Sequence, residues 1–401
     1  MIKKRAKHAF SLSFFCNVYY NNVAQRLKGF FKMARPTVCI VDTNALKYNF
    51  EQIKKRVQGK KVLVPVKADA YGHGLCRVAD ALKYGADYFG VATLEEGKEL
   101  REYGIKTPVL CLDPLPAGSE SIAAEYKIDQ AVCTPDAVFR LEKECKKQNK
   151  QAGVHIKIET GMHRTGTNAG QELEAVLGAI KGSPHIHLDG VFTHFYESDI
   201  PDRIATDMQG KKFMLALEQV KNAGFEDFIV HCANSGAVMS YPEYTFDMVR
   251  PGILIYGYLP SRETKVPFKP KRVLTFKTEI VAFTHVKKGE TVGYSATFTA
   301  QRDTLLAVLP VGYGDGYKRL LSNKGEVLIS GKRAGICGNI CMDMTLVDVT
   351  DIPDAKIGSE AVLIGQQGED EITADEIAEK CQTISYEIML SITGRVPKIY
   401  E

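Results

Sequence analysis

Short apolar runs alternate with amphipathic segments over the first two thirds of the chain. Eight runs are typical of buried strands, and the segments between them repeat apolar residues at helical spacing. The runs cover residues 62–66, 88–92, 108–112, 130–133, 154–158, 190–194, 228–232 and 249–256. The main amphipathic segments cover 75–84, 94–103, 135–148, 170–181 and 205–223. Strands that alternate with helices in this way predict a parallel sheet.

Eight strand–helix units in about 220 residues match the size of a TIM-type (β/α)8 barrel. We therefore predict an α/β barrel, with a doubly wound sheet as the alternative. A barrel places its chemistry at the C-terminal ends of its strands. Chemically unusual side chains lie at or after those ends in this sequence: Lys67, Arg164, His194, Asn234 and Ser235. Arg250, Gly252 and Ile253 lie in or next to the eighth strand.

The pattern changes after a break at residues 259–272 that is rich in Pro and Lys. From residue 273 onward, short alternating runs are separated by Gly-containing turns, which predicts a mostly β second domain with one helix at 373–381. We place the barrel domain at 35–268 and the β domain at 269–401. A strand at 38–41 and a helix at 45–57, capped by Asp42 or Thr43, precede the first of the eight units.

Residues 1–34 form a separate N-terminal extension with a basic start and a broken apolar patch. We expect it to be disordered or to result from a misassigned start, with Met33 as the initiator. A signal or transit peptide is the alternative. No stretch of about 18 apolar residues occurs, so no membrane span is predicted.

Composition narrows the partners and the compartment. The net charge of +4 is small for 401 residues, and much of the excess lies in the N-terminal extension, so we expect no nucleic-acid partner. The ten cysteines form no C-x-x-C pair, which favours reduced thiols and a cytoplasmic location. The nine histidines show no metal-ligand spacing, and we predict no metal site.

The stretch VLVPVKADAYGHG at residues 62–74 delivers a lysine, Lys67, at the mouth of a buried strand. Desolvation lowers the pKa of such a lysine and makes its amine a nucleophile or base. The alternative is a lysine with a buried stem whose charged head reaches water. The local sequence leaves both interpretations open.

The segment PVKADAYGHG resembles the pyridoxal-phosphate attachment motif of alanine racemases. Further segments that resemble this family follow in the family's order: ETGMHRTG, VFTHF, HCANSG, MVRPGILIYG, VGYSATFTA, VGYGDGYKR, GNICMDM, TISYE and GRVPKIY. The resemblance covers roughly residues 35–401. It implies a fold-type III enzyme that uses pyridoxal 5'-phosphate as an electron sink to racemise a small amino acid.

By this resemblance, Lys67 binds the cofactor covalently and acts as one of two bases. Tyr294 acts on the opposite face of the substrate, and it is presented across the interface of a homodimer with shared active sites. His194 and Arg250 form a chain that helps the tyrosine to ionise. Because Arg250 keeps its proton, the pyridine nitrogen that it faces stays unprotonated.

The resemblance also assigns the other site residues. Those that hold the cofactor are Lys67, Tyr71, His194, Asn234, Ser235, Arg250, Gly252, Ile253 and Tyr386. Arg164 and the Met342 amide recognise the substrate carboxylate. Supporting and entry residues are Lys157, Tyr313, Cys341 and Asp343.

Lys157 alternates with the apolar residues of its strand, which points its side chain into the barrel. Some relatives carry a carbamylated lysine at this position. The alternative is an unmodified lysine paired with Glu159 or Asp189, since a buried charge needs a partner. His163 departs from the family, which often has glycine there.

The resemblance predicts an alanine racemase that supplies D-alanine for peptidoglycan. A racemase for serine or a broader set of small amino acids is the alternative, because a methyl and a hydroxyl group are hard to discriminate. A carrier of pyridoxal phosphate without turnover would lack the β domain and Tyr294. A decarboxylase of related fold matches residues 313–343 less well.

Overall fold

The computed structural model describes residues 35–261, 263–264 and 268–401. The predicted N-terminal extension, including Cys16, lies outside the described residues. Strand β1 (Val38–Val41) and helix α1 (Thr43–Val57) come first. Helix α1 begins at the cap residue Asp42, whose Oδ1 accepts the amides of Asn44 and Ala45 at 2.8 and 2.9 Å.

Eight parallel strands then form a nearly closed barrel, which confirms the predicted fold class. They are β2 (Lys61–Pro65), β3 (Tyr88–Val91), β4 (Val109–Cys111), β5 (Asp129–Val132), β6 (Ala152–Lys157), β7 (Ile186–Phe192), β8 (Ile229–His231) and β9 (Met248–Val249). Their order in the sheet is β8-β7-β6-β5-β4-β3-β2-β9. Backbone bonds from Asp247 to Val230 (3.0 Å) and from Arg250 to Ala233 (2.8 Å) link the last two strands.

Of the helical elements between these strands, five correspond closely to the predicted amphipathic segments. The helical elements are α2 (Lys67–Gly72), α3 (Leu75–Leu82), α4 (Leu94–Tyr103), α5 (Glu120–Tyr126), α6 (Pro135–Gln148), α7 (Gln171–Lys181), α8 (Ile204–Asn222) and α9 (Ser235–Ser240). In α8, Phe213, Leu217 and Val220 are buried, as their shared face predicts. These faces and the strands form one continuous core.

The second domain is mostly β and has its own core. Its strands are β10 (Leu274–Glu279), β11 (Ala282–Val286), β12 (Thr291–Val292), β13 (Phe298–Thr299), β14 (Thr304–Leu309), β15 (Glu326–Ile329), β16 (Lys332–Gly335), β17 (Thr345–Asp348), β18 (Glu360–Gln367), β19 (Asp370–Ile372) and β20 (Lys398–Tyr400). The predicted helix is α10 (Ala374–Lys380). A further helix, α11 (Ser385–Leu390), was not predicted.

Strand β1 belongs to the sheet of the second domain, although the predicted boundary placed it with the barrel. The strand lies between β10, with which it is antiparallel, and β20, with which it is parallel. Its hydrogen bonds therefore tie residues 38–41 to the segments around residues 276 and 399. Within the described ranges, no helix is both long enough and apolar enough to cross a bilayer.

The Asp42 cap gives a test of helix α1. Asp42→Ala removes the acceptor of two helix amides, and we expect the free energy of unfolding to fall by about 1 kcal/mol. Asp42→Asn keeps an acceptor of similar capping strength and should stay close to the parent protein. Urea unfolding followed by circular dichroism measures both. An equal loss in both variants would assign the effect to charge rather than to capping.

Candidate active site

A cavity of about 390 Å³ opens at the C-terminal ends of the barrel strands. It collects most of the residues that the sequence singled out. The lining includes Lys67, Tyr71, Lys157, Arg164, His194, Asn234, Ser235, Arg250, Gly252, Ile253 and Tyr386. Leu112, Asp113, Met162, Phe192 and Tyr196 also line it and were not predicted.

Lys67 enters this cavity from an unusual turn. The four residues after it, Ala68 to Tyr71, have φ angles of 53–55°. Left-handed backbone costs roughly 1–2 kcal/mol for each residue with a Cβ atom. Element α2 is therefore a strained left-handed turn, and it needs support from its surroundings.

Several groups hold the left-handed turn. The Oδ1 atom of Asp69 accepts the Leu75 amide at 2.8 Å, and its Oδ2 atom pairs with Lys398 at 2.8 Å. The buried His73 donates from Nδ1 to the carbonyl oxygens of Ala70 (3.1 Å) and Tyr71 (2.9 Å). Burial lowers the pKa of His73 to about 4, so the ring is neutral at physiological pH.

The surroundings of Lys67 favour a reactive amine. Burial lowers its pKa, Asp113 raises it, and the Arg164 guanidinium lowers it again. Asp113 follows strand β4 and lines the cavity. Its position directly after a strand was the sequence signal that could have identified it, because the ends of barrel strands carry the site.

Arg250 lies buried at the base of the cavity and is held by five acceptors. It donates to the carbonyl oxygens of His231 (3.0 Å), Thr193 (2.6 Å) and Cys232 (3.3 Å), and to the Nδ1 atoms of His231 (2.8 Å) and His194 (3.3 Å). Burial lowers the pKa of Arg250 to about 10, which leaves it charged at neutral pH.

These bonds determine which nitrogen of each histidine carries a proton. A guanidinium can only donate, so the Nδ1 atoms of His194 and His231 are acceptors and their Nε2 atoms carry hydrogen. His231 then donates from Nε2 to Nδ1 of His155 at 2.9 Å inside the barrel. Burial lowers the pKa of all three rings, so each is neutral.

Lys157 points into the barrel, as predicted, and is almost completely buried. Its ammonium is bonded to the Thr165 hydroxyl and lies 5.8 Å from the centroid of the Phe192 ring. Burial lowers the pKa of Lys157 to about 8, with Arg164 acting in the same direction. Cys133 and then Asp113 oppose this shift. Glu159 instead bonds the Gly161 amide, and Asp189 pairs with His187 at 3.3 Å.

A cluster of tyrosines forms the side of the cavity near strand β9. Tyr71 stacks on Tyr256 with ring centroids 4.8 Å apart, and Tyr386 of helix α11 lies 5.8 Å away. A Cβ atom added at Gly252 would lie 2.6 Å from the Tyr71 hydroxyl, so only glycine permits this close approach. Burial raises the pKa of Tyr71 to about 12 and also raises that of Tyr386, and both phenols therefore keep their protons.

The remaining predicted residues lie on the second domain, away from this cavity. Tyr294, 72% exposed, begins a turn between strands β12 and β13. The Tyr313 amide donates to the carbonyl oxygen of Cys341 at 3.1 Å, and Asp343 pairs with Arg395 at 2.7 Å. Met342 is 53% exposed. Tyr294, Tyr313, Cys341, Met342 and Asp343 do not line the cavity within one chain.

His163 has a φ angle of 52°, in the left-handed region that favours glycine. The neighbouring Glu159 receives backbone hydrogen bonds from residues 161–163, which hold the loop that leads to Arg164.

Two family models match nearly the whole described chain. "Alanine racemase, N-terminal domain" covers residues 41–260, and "Alanine racemase, C-terminal domain" covers residues 273–400. The chain belongs to the alanine racemase family. An alanine racemase of Halothermothrix orenii is 39% identical over 372 residues, which is 92% of this chain and 98% of the relative. One of Desulfosudis oleivorans is 40% identical over 375 residues, or 90% and 95% of the two chains.

Solved alanine racemases have the same architecture. The enzyme of Clostridium difficile 630 superposes with a TM-score of 0.88 at 33% identity, over 92% of this chain and 97% of that one. The alanine racemase of Bacillus anthracis with bound L-Ala-P has a TM-score of 0.87 at 34% identity, over 92% and 96%. The arrangement of barrel and β domain is therefore that of the alanine racemase family.

The buried His73 predicts how stability depends on pH. Its folded pKa of about 4 lies below the unfolded value of about 6.5. Above about pH 6.5 this histidine does not lower the free energy of unfolding, and the free energy of unfolding falls as the pH falls toward 4. We expect His73→Asn, which keeps a donor near the Nδ1 position, to flatten this loss by up to about 1.4 kcal/mol per pH unit. Urea unfolding between pH 8 and 4.5 measures it. Parallel curves for the two proteins below pH 6.5 would contradict the assignment.

Proposed function

We propose that this chain is an alanine racemase that interconverts L-alanine and D-alanine with pyridoxal 5'-phosphate bound at Lys67. The observation that carries the proposal is the convergence of Lys67, Arg164 and the buried Arg250 on one cavity, in a chain that matches the family over both domains. The predicted cytoplasmic location and the supply of D-alanine for peptidoglycan remain part of this proposal. Free thiols at every described cysteine support a reducing compartment.

The donor set of the cavity fits pyridoxal phosphate. At one side, the hydroxyls of Tyr71, Tyr386 and Ser235 are donors for a phosphate, and Asn234 supports this side by accepting the Ala237 amide at 3.1 Å. The amides of Gly252 and Ile253 are the predicted backbone donors, and the absence of a Cβ atom at Gly252 leaves room there. At the base, the charged Arg250 provides a donor for an unprotonated pyridine nitrogen.

When bound, pyridoxal phosphate supplies an electron sink for the α-carbon of an amino acid. The chain must then move a proton on each face of that carbon. The lowered pKa of Lys67 makes its amine available as the base on one face. Tyr294 of the partner subunit is proposed as the base on the other face.

We propose a homodimer with shared active sites, which the position of Tyr294 supports. A phenol that is mostly exposed on the second domain cannot act on the cavity of its own chain unless that domain rearranges. In the dimer, His194 is suited to assist it, because its Nε2 atom carries hydrogen while Nδ1 accepts from Arg250 at 3.3 Å. This donor would stabilise the ionised phenol and thereby lower the pKa of the tyrosine.

Substrate binding is proposed for Arg164, with the Met342 amide of the partner subunit completing the carboxylate site. Tyr313, Cys341 and Asp343 form the entry in the same dimer. Carbamylation of Lys157 remains a prediction, and its lowered pKa supports it because only a neutral amine adds carbon dioxide. The product would be an anion next to Arg164.

The reaction predicts exchange of the α-proton with solvent. In deuterated water, L-alanine and D-alanine should each gain deuterium and each yield the other enantiomer, because two bases act on opposite faces. Mass spectrometry and chiral chromatography measure both. Offering L- and D-serine separately identifies a broader racemase. Deuterium exchange with full retention of configuration would contradict the two-base mechanism.

The shared site predicts complementation between inactive chains. We expect Lys67→Ala and Tyr294→Ala each to lose at least about 100-fold in kcat, since each removes an acid–base group. Mixed dimers with both variants contain one intact site, so up to about a quarter of the parent activity should return. Native mass spectrometry of differently tagged chains verifies the exchange. Verified mixed dimers without activity would exclude a site built from two chains.

A further inference from the structure

Glu96 lies at the start of helix α4 and forms a capping box with Thr93. The Glu96 amide donates to the Thr93 hydroxyl at 3.2 Å, and Glu96 Oε2 accepts the Thr93 amide at 3.3 Å. Oε2 also accepts the Ala92 amide at 2.8 Å. These bonds account for one carboxylate oxygen, and helix capping requires no more than this.

The other carboxylate oxygen of Glu96 binds a group outside helix α4. Oε1 accepts the backbone amide of Ala68 at 2.6 Å. Ala68 directly follows Lys67, lines the cavity, and is the first of the four residues with positive φ. Glu96 therefore links the start of helix α4 to the strained turn that carries the lysine.

This bond is suited to hold a strained backbone. A hydrogen bond to a carboxylate is roughly twice as strong as one between neutral groups. A second carboxylate belongs to the turn itself, since Asp69 accepts the Leu75 amide and pairs with Lys398. Two carboxylates thus hold the turn, and strained backbone persists only where such contacts over-determine it.

We propose that Glu96 is a positioning residue for Lys67, which holds the Ala68 amide and thereby sets how the lysine side chain enters the cavity. The inference rests on the proposed function only for what Lys67 does there. The position of Glu96 also affects the charge of the lysine. Its carboxylate raises the pKa of Lys67, as Asp113 does, while burial, Arg164 and Arg250 lower it.

The test uses the full chain with three substitutions. Glu96→Gln keeps the shape but has one acceptor oxygen and no charge, so it cannot serve amides on both sides. Glu95→Gln is the matched control, because this substitution removes the same charge from the same first turn. Glu95 is exposed. Thr93→Ala removes the other half of the capping box and leaves the Glu96 carboxylate in place.

The first readout is hydrogen exchange of the peptide that spans residues 66–74, measured by mass spectrometry. We expect Glu96→Gln to speed exchange in this segment by about tenfold or more, because the turn opens locally. Glu95→Gln should match the parent protein. Thr93→Ala should speed exchange at the start of α4 but not in the turn. This readout does not depend on a cofactor.

The second readout is the reactivity of Lys67 toward pyridoxal 5'-phosphate as a function of pH. Borohydride traps the adduct, and peptide mass spectrometry counts it at Lys67. We expect Glu96→Gln to move the midpoint of trapping down by roughly 0.5–1 pH unit, because a negative charge near the amine is lost. Glu95→Gln and Thr93→Ala should leave the midpoint in place.

The results separate the two proposals. If Glu96→Gln equals Glu95→Gln in both readouts, or if Thr93→Ala reproduces both effects, Glu96 is only a helix cap and the inference is wrong. If no variant, the parent included, gives an adduct at Lys67, the proposed function fails, and hydrogen exchange alone decides the role of Glu96.

Discussion

Four consecutive residues with side chains adopt left-handed backbone directly after Lys67. At roughly 1–2 kcal/mol each, this strain is a large fraction of the stability of a typical domain. Both domains contribute to offsetting it. Lys398 reaches Asp69 from strand β20. Met389 and Tyr400 lie so close to Gly72 and Gly74 that a Cβ atom at either glycine would clash with their oxygen atoms. The turn therefore depends on the way the barrel meets the β domain.

Arg250 also lines the cavity, and it fixes the direction of the hydrogen bonds around it. Because a guanidinium has donors and no acceptor, each histidine that it contacts must present a lone pair and carry its proton on the far nitrogen. The same direction of donation continues from His231 to His155, inside the barrel. The charge of Arg250 and the neutrality of the rings thus belong to one network, and the cavity combines a fixed cation at its base with a lysine that burial makes less basic.

The alternation of apolar runs and amphipathic segments was enough to predict the barrel, since both periodicities reflect burial on one face or two. This pattern could not predict the pairing of strand β1, because an apolar run does not specify which distant strand accepts its hydrogen bonds. The left-handed turn had no local signal either, since alanine, aspartate and tyrosine replace the glycine that usually marks positive φ. Glu96 did have one, as Thr93 and Glu96 have capping-box spacing. Tyr386 was assigned by resemblance, and helix α11, which places it, was not predicted.

The bond between Asp69 and Lys398 spans 329 residues of sequence. During synthesis, the lysine turn emerges from the ribosome long before the strand that supports it can pair with β1. Contacts between residues so far apart in sequence form slowly, because the chain loses the entropy of loop closure before the contact stabilises it. Within the barrel domain, Glu96 and His73 already contact the turn, so the contact from Lys398 completes this support when β20 docks.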